Sequence, residues 1–164
     1  MRLALRPILC CAAILVAVLG LGAHTASAQT YTLTATLTGA GENPAINTGA
    51  FGSATVTVDM AARTVSYRVD VYNLPSGVTA SHIHVGAVGT NGPVVVNFAP
   101  PVPASNDFGF SGTVRETEFV LRPDQGIRSV DDMFQAILGE NSYVNVHSAV
   151  NGGGEVRGQL LLKK

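Results

Sequence analysis

A chain of 164 residues with ten Lys and Arg against eleven Asp and Glu is long enough for one sizeable hydrophobic core and too short for two comfortable domains. It has no basic cluster, few aromatics and no basic amphipathic stretch, which excludes nucleic acid and an anionic membrane surface as partners. Its only cysteines, Cys10 and Cys11, stand in an N-terminal leader, so the rest of the chain has no thiol for a disulfide, a nucleophile or a thiolate metal site.

Residues 1–28 read as a signal peptide. Arg2 and Arg6 form a positive start, Ile8 to Leu21 is apolar and uncharged, and Ala26-Ser27-Ala28 has the small–any–small pattern of a cleavage site before Gln29. The apolar run falls short of the ~20 residues of a membrane-spanning helix. The cysteines open that run instead of closing it, which argues against a lipoprotein signal. The expectation is a secreted or periplasmic protein with one domain, residues 29–164, and no membrane attachment after cleavage. Losing Arg2 and Arg6 leaves eight basic and eleven acidic side chains, a formal net charge of −3.

Tyr31 to Thr38 alternates apolar residues with threonine, the period of a half-buried strand, with Tyr31, Leu33, Ala35 and Leu37 facing inward. Gly39 to Gly49 is loop chemistry. Ser53 to Met60 and Val65 to Val71 alternate again about a short connection and read as a hairpin. Asn73-Leu74-Pro75-Ser76-Gly77 breaks the ladder, and a strand resumes at Thr79 to Val85. The Gly86 to Pro93 loop leads to a strand from Pro93 to Phe98, and the proline-rich stretch 99–107 is a loop. Phe110 to Leu121 is expected as a strand whose wet face carries Arg115, Glu116 and Glu118. Ser129 to Leu138 is the one predicted helix, capped by Ser129 and Asp132 and stopped at Gly139. Strands from Asn141 to Val150 and Glu155 to Leu162 close the chain about the Asn151-Gly152-Gly153-Gly154 turn. The pattern predicts an all-β fold, an antiparallel Greek-key sandwich or flattened barrel of seven to eight strands with one short helix.

Outside the leader the chain has three histidines, His82, His84 and His147. Residues two apart in a strand project from one face, with Cβ atoms about 6.5–7 Å apart, a span two imidazoles can close on one ion at metal–nitrogen distances of about 2 Å. His147 completes a three-imidazole copper or zinc site if its strand neighbours that of His82, and Glu155 or Asn145 is then a candidate to orient a ring. The alternative is structural: the rings act as plugs that donate to loop carbonyls in the glycine turns. Other features read blandly. Gly86, Gly89 and Gly92 have no helix behind them and form a turn scaffold, not a phosphate cradle. Ser81 and His82 point to opposite faces and are no nucleophile–base pair. Asp131 and Asp132 fit a helix N-terminus, and Glu155 with Arg157, on one strand face, fits an ion pair or an anchor for the last hairpin.

The segments SHIHVGAVGTNGPVVVNF (81–98), YVNVHS (143–148) and GEVRGQL (154–160), preceded by Asn73-Leu74-Pro75, together resemble a CHRD domain, the module named after its repeats in chordin. That resemblance implies an extracytoplasmic β-domain and implies little about activity. A weaker one, in the order Leu-Pro, H-x-H, glycine loop and V-x-V-H, is similar to the copper–zinc superoxide dismutases, where it would make His82, His84 and His147 copper ligands. This chain has no histidine for that family's bridging or zinc positions, and Arg157 lies only in the region of its catalytic arginine. The expected function is a non-catalytic binding module for an unidentified extracytoplasmic protein or ligand. The alternative is a three-histidine copper- or zinc-binding protein, with redox activity left open.

Overall fold

The computed structural model describes residues 29–101 and 106–164. The signal-peptide reading and part of the 99–107 loop lie outside the described residues. The strands are β1 (Thr30–Thr38), β2 (Phe51–Asp59), β3 (Thr64–Tyr72), β4 (Val78–Val85), β5 (Val94–Asn97), β6 (Phe108–Arg115), β7 (Ser142–Ser148), β8 (Val156–Gln159) and β9 (Leu161–Leu162), with one helix, α1 (Val130–Leu138). They form a single antiparallel sheet in the order β5-β4-β7-β8-β1-β2-β3-β6, with β9 also paired to β1.

The sheet curls into a nearly closed barrel, in line with the all-β antiparallel sandwich or barrel expected from the pattern. Its two ends are drawn together by Ala99 N–H donating to Tyr67 Oη at 3.0 Å and by Val120 N–H donating to the Val95 carbonyl at 2.9 Å. Inside, the period-two pattern delivers one apolar face. Leu33, Leu37, Val56, Val58, Val65, Val69, Val71, Ile83, Val144, Val146 and Val156 are all fully buried. Each such side chain contributes roughly 1.5–3 kcal/mol by leaving water. Helix α1 adds Met133, Phe134 and Ile137 to the same core. Ser129 caps it by accepting from Asp132 N–H, and Asp132 accepts back from Ser129 N–H, the reciprocal pair read from the sequence.

Two expectations are corrected and a third gains a contact. The strand predicted to reach Leu121 ends at Arg115. Glu116–Glu118 closes into one 3-10 turn, because the Glu118 carboxylate accepts from Arg115 N–H, and Phe119 then packs edge-on against Phe134. The last strand splits at the fully buried Leu160, β8 pairing with β7 and β9 with β1, which raises the number of strands to nine. Asp131 does more than suit the helix dipole: it also accepts from Arg63.

Candidate metal centre

Strand β7 is buried along its whole length on both faces. Val144 and Val146 point into the barrel, while Tyr143, Asn145 and His147 alternate onto the outer face. Its neighbour β4 does the same, with Ile83 inward and His82 and His84 outward. The antiparallel register sets His82 opposite Asn145, His84 opposite Tyr143, and His147 opposite Ala80. On the other side of β7, Arg157 and Gln159 of β8 stand opposite Asn145 and Tyr143. Three adjacent strands therefore bring His82, His84, His147, Tyr143, Asn145 and Arg157 to one outer patch.

One ring nitrogen from each of the three histidines lies within 4.8 Å of the other two. His82 Nδ1 and His147 Nε2 are 3.1 Å apart. The two remaining Nδ1 atoms are spoken for. His84 Nδ1–H donates to the Gly92 carbonyl at 2.9 Å, and His147 Nδ1–H donates to the Gly152 carbonyl at 3.0 Å. These bonds fix the tautomer of both rings and leave Nε2 as the lone-pair nitrogen. His84 Nε2 is buried and has no hydrogen-bond partner. A buried acceptor without a donor is costly in free energy unless something else coordinates it. A metal ion at about 2.0–2.1 Å from each nitrogen needs them roughly 3.3–3.6 Å apart, so the 3.1 Å pair opens slightly and wider gaps close.

All three rings are held neutral. Burial, followed by the neighbouring His147 and His84, pushes the pKa of His82 down to about 4. Burial lowers His84 as well, against the pull of the Gly92 carbonyl, with His147 and the Arg157 cation adding to the depression. Burial lowers His147 against the opposing pull of Gly152. Neutral imidazole is the form that binds a metal.

Loops roof the patch. Asn43 donates to the Gly89 carbonyl and Asn91 to the Asn43 carbonyl, both at 2.7 Å. Gly92 N–H donates to Tyr143 Oη at 3.1 Å, which sets the carbonyl used by His84. Gly92 has to be glycine, since a Cβ there would overlap the Val85 carbonyl oxygen. Arg157, 2 % exposed, donates to Asn91 Oδ1 at 3.1 Å and to the Thr90 carbonyl at 2.6 Å. The expected Glu155–Arg157 ion pair is absent among the described residues. Glu155 is fully buried and accepts instead from Thr48, from Ser148 Oγ at 2.6 Å and from Asn151 Nδ2 at 2.6 Å. Burial pushes its carboxyl up, but these three bonds outweigh that and hold it below the usual carboxylate range. Neither Glu155 nor Asn145 bonds a histidine ring, so the orienting groups are the two glycine carbonyls.

The CHRD domain family model matches residues 33–160, a span that takes in all three histidines and both glycine turns. The chain belongs to the CHRD domain family. No curated protein and no solved structure matches it at significance.

In this CHRD domain the roof leaves a cleft of about 220 Å³ lined by Glu42, Pro44, Ile46, Asn91, Asn151 and Gly154. The Glu42 carboxylate accepts from Asn145 Nδ2 at 3.1 Å through both oxygens. Burial is the main reason its pKa is pushed up to about 7, against the pull of Arg157 and Asn145. Sequence reasoning missed Tyr143, Glu42, Gly92 and Gly152 as parts of the site. Tyr143 was within reach of it, since it falls four residues before His147 and so on the same strand face.

Proposed function

We propose that this CHRD domain is an exported metal-binding protein in which His82, His84 and His147 hold one copper or zinc ion. The observation that carries the reading is the convergence of one nitrogen from each of three neutral rings, two of the rings with tautomers locked by backbone carbonyls and one of those two, His84, presenting a buried nitrogen without a partner. Three imidazoles with no thiolate suit copper or zinc and leave a coordination position for water or another ligand. Export follows from the leader pattern and agrees with the extracellular or periplasmic setting typical of CHRD domains. No helix among the described residues is long and apolar enough to cross a membrane. No residue is assigned a catalytic role.

The second reading, a metal-free binding module with the histidines as plugs, has the Gly92 and Gly152 hydrogen bonds in its favour. Calorimetric titration of the purified protein with copper(II) and zinc(II), and with copper(I) under reducing, oxygen-free conditions, any polyhistidine tag removed, separates the two. Binding of one ion per chain that is lost in His84→Ala supports the metal centre. Weak binding of all three ions that the variant leaves unchanged refutes it and leaves the plug role.

A further inference from the structure

The three ligand nitrogens belong to neutral rings, and no carboxylate joins the cluster. The charge that the patch stacks against a ligand ring is a cation. Arg157 lies with Cζ 3.3 Å from the centroid of the Tyr143 ring, and Tyr143 stacks on His84 with centroids 4.8 Å apart and planes 8° from parallel. Tyr143 stands on β7 between His84 on β4 and Arg157 on β8, so the three groups form one stack from cation to ligand.

The guanidinium is buried and belongs to none of the ion pairs among the described residues. Its partners are neutral: Asn91 Oδ1 and the carbonyls of Thr90 and Ala87. Glu42, the acid that interacts with it most directly, is turned to Asn145 and ionises only near neutrality, so it offsets the cation in part. A buried charge facing uncharged partners keeps most of its field. The Tyr143 ring alone lies between that charge and the His84 ring.

From this stack we infer that Arg157 is a positioning residue that tunes the centre for singly charged copper, so that the site prefers Cu(I) to the doubly charged Cu(II) and Zn(II). The inference rests on the metal-binding reading above. A fixed positive charge repels a dication twice as strongly as a monocation, and three neutral imidazoles supply no anion to compensate. At one ring's thickness beyond a ligand, a unit charge shifts the balance between the two copper ions by on the order of tenfold. Because all the polar bonds of Arg157 go to the 86–93 loop, its electrostatic and strapping roles need separate variants.

The test measures Cu(I) affinity against a chromophoric Cu(I) chelator under reducing, oxygen-free conditions, and Cu(II) affinity against a Cu(II) chelator in air. It uses wild type, Arg157→Gln, Arg157→Lys and Asn91→Ala. The expected result is a drop of about tenfold in the Cu(I)-to-Cu(II) affinity ratio for Arg157→Gln, equal to a fall of about 59 mV in the one-electron midpoint potential. Arg157→Lys keeps the charge and holds the ratio. Asn91→Ala loosens the strap and also holds it. Equal shifts in the glutamine and lysine variants, or no shift in either, overturn the inference while leaving metal binding intact. Failure of the wild type to bind copper in either oxidation state overturns the metal-binding reading together with it. If Arg157→Gln does not fold, Glu42→Gln at pH 8 decides: removing the partial counter-charge raises the ratio, and an unchanged ratio refutes the inference.

Discussion

Glu155 is the clearest place to test how the roof is held. Its side chain is fully buried, and its two oxygens take hydrogen bonds from three donors that arrive from the 39–50 loop, the end of β7 and the β7–β8 turn. Replacing it by alanine leaves Thr48, Ser148 and Asn151 to find new partners in a dry site. A hydrogen bond to a charged group is worth about 1.5–3 kcal/mol, and losses within one network are not additive, so Glu155→Ala is expected to cost about 3–5 kcal/mol. Glu155→Gln keeps the volume and one carbonyl acceptor. The two hydroxyls can rotate to accommodate an amide, and the cost falls to about 1–2 kcal/mol. Urea unfolding of the metal-free proteins at pH 7 measures both, with an unchanged m-value as the check that only stability has moved. Because the folded-state pKa is depressed, the Glu155 contribution is present above the unfolded value near 4.5 and disappears as pH falls through the folded value. A cost below about 1 kcal/mol for Glu155→Ala, or equal costs for the two variants, would refute the reasoning.

Three further outcomes follow from the site. Glu42 has a pKa raised from 4.5 to about 7, so its ionisation opposes folding: the cost begins above pH 4.5 and is complete above about pH 7. After discounting for its partial exposure, Glu42→Gln should stabilise the metal-free protein by about 1 kcal/mol at pH 8 and by nothing at pH 4, read from urea midpoints. His82 has the opposite linkage. Its folded pKa near 4 lies below the unfolded 6.5, so the unfolded chain takes up the proton first and stability declines as pH falls from 6.5 toward 4. In His82→Gln that part of the acid sensitivity should disappear relative to wild type. Finally, Gly92→Ala collides with the Val85 carbonyl and displaces the carbonyl that orients His84. Copper affinity should fall about 10–100-fold, whereas Gly153→Ala, with open space around it, should bind like wild type.

The strands were legible because each carries its own period-two signal. Leu33, Ala35 and Leu37, or Val65, Tyr67, Val69 and Val71, state their buried face without reference to the rest of the chain. The strand predicted through Leu121 failed where a local competitor intervened. Glu118 returns its carboxylate to Arg115 N–H, and the same residues that resemble a wet strand face close a turn. The His82–His84 spacing was equally local, and it placed both rings on one side of β4. Bringing in His147 needed the pairing of β4 with β7, which is a property of the sheet order and not of either segment.

The environment of the centre was hidden for the same reason, more strongly. Asn145 meets Glu42 across 103 positions of sequence, and Arg157 meets Asn91 across 66. Neither contact has a periodicity or a motif to announce it. The two readings of the histidines, plug or ligand, also stop being alternatives once the geometry is known. A ring that donates Nδ1–H to a loop carbonyl is a plug, and the same bond forces its Nε2 to be the unprotonated nitrogen. For His84 that nitrogen is buried with no donor to satisfy it, and for His147 it faces His82. The glycine turns therefore serve the site by fixing which nitrogen each ring presents. This gives Gly92 and Gly152 a consequence for metal affinity that their lack of side chains conceals.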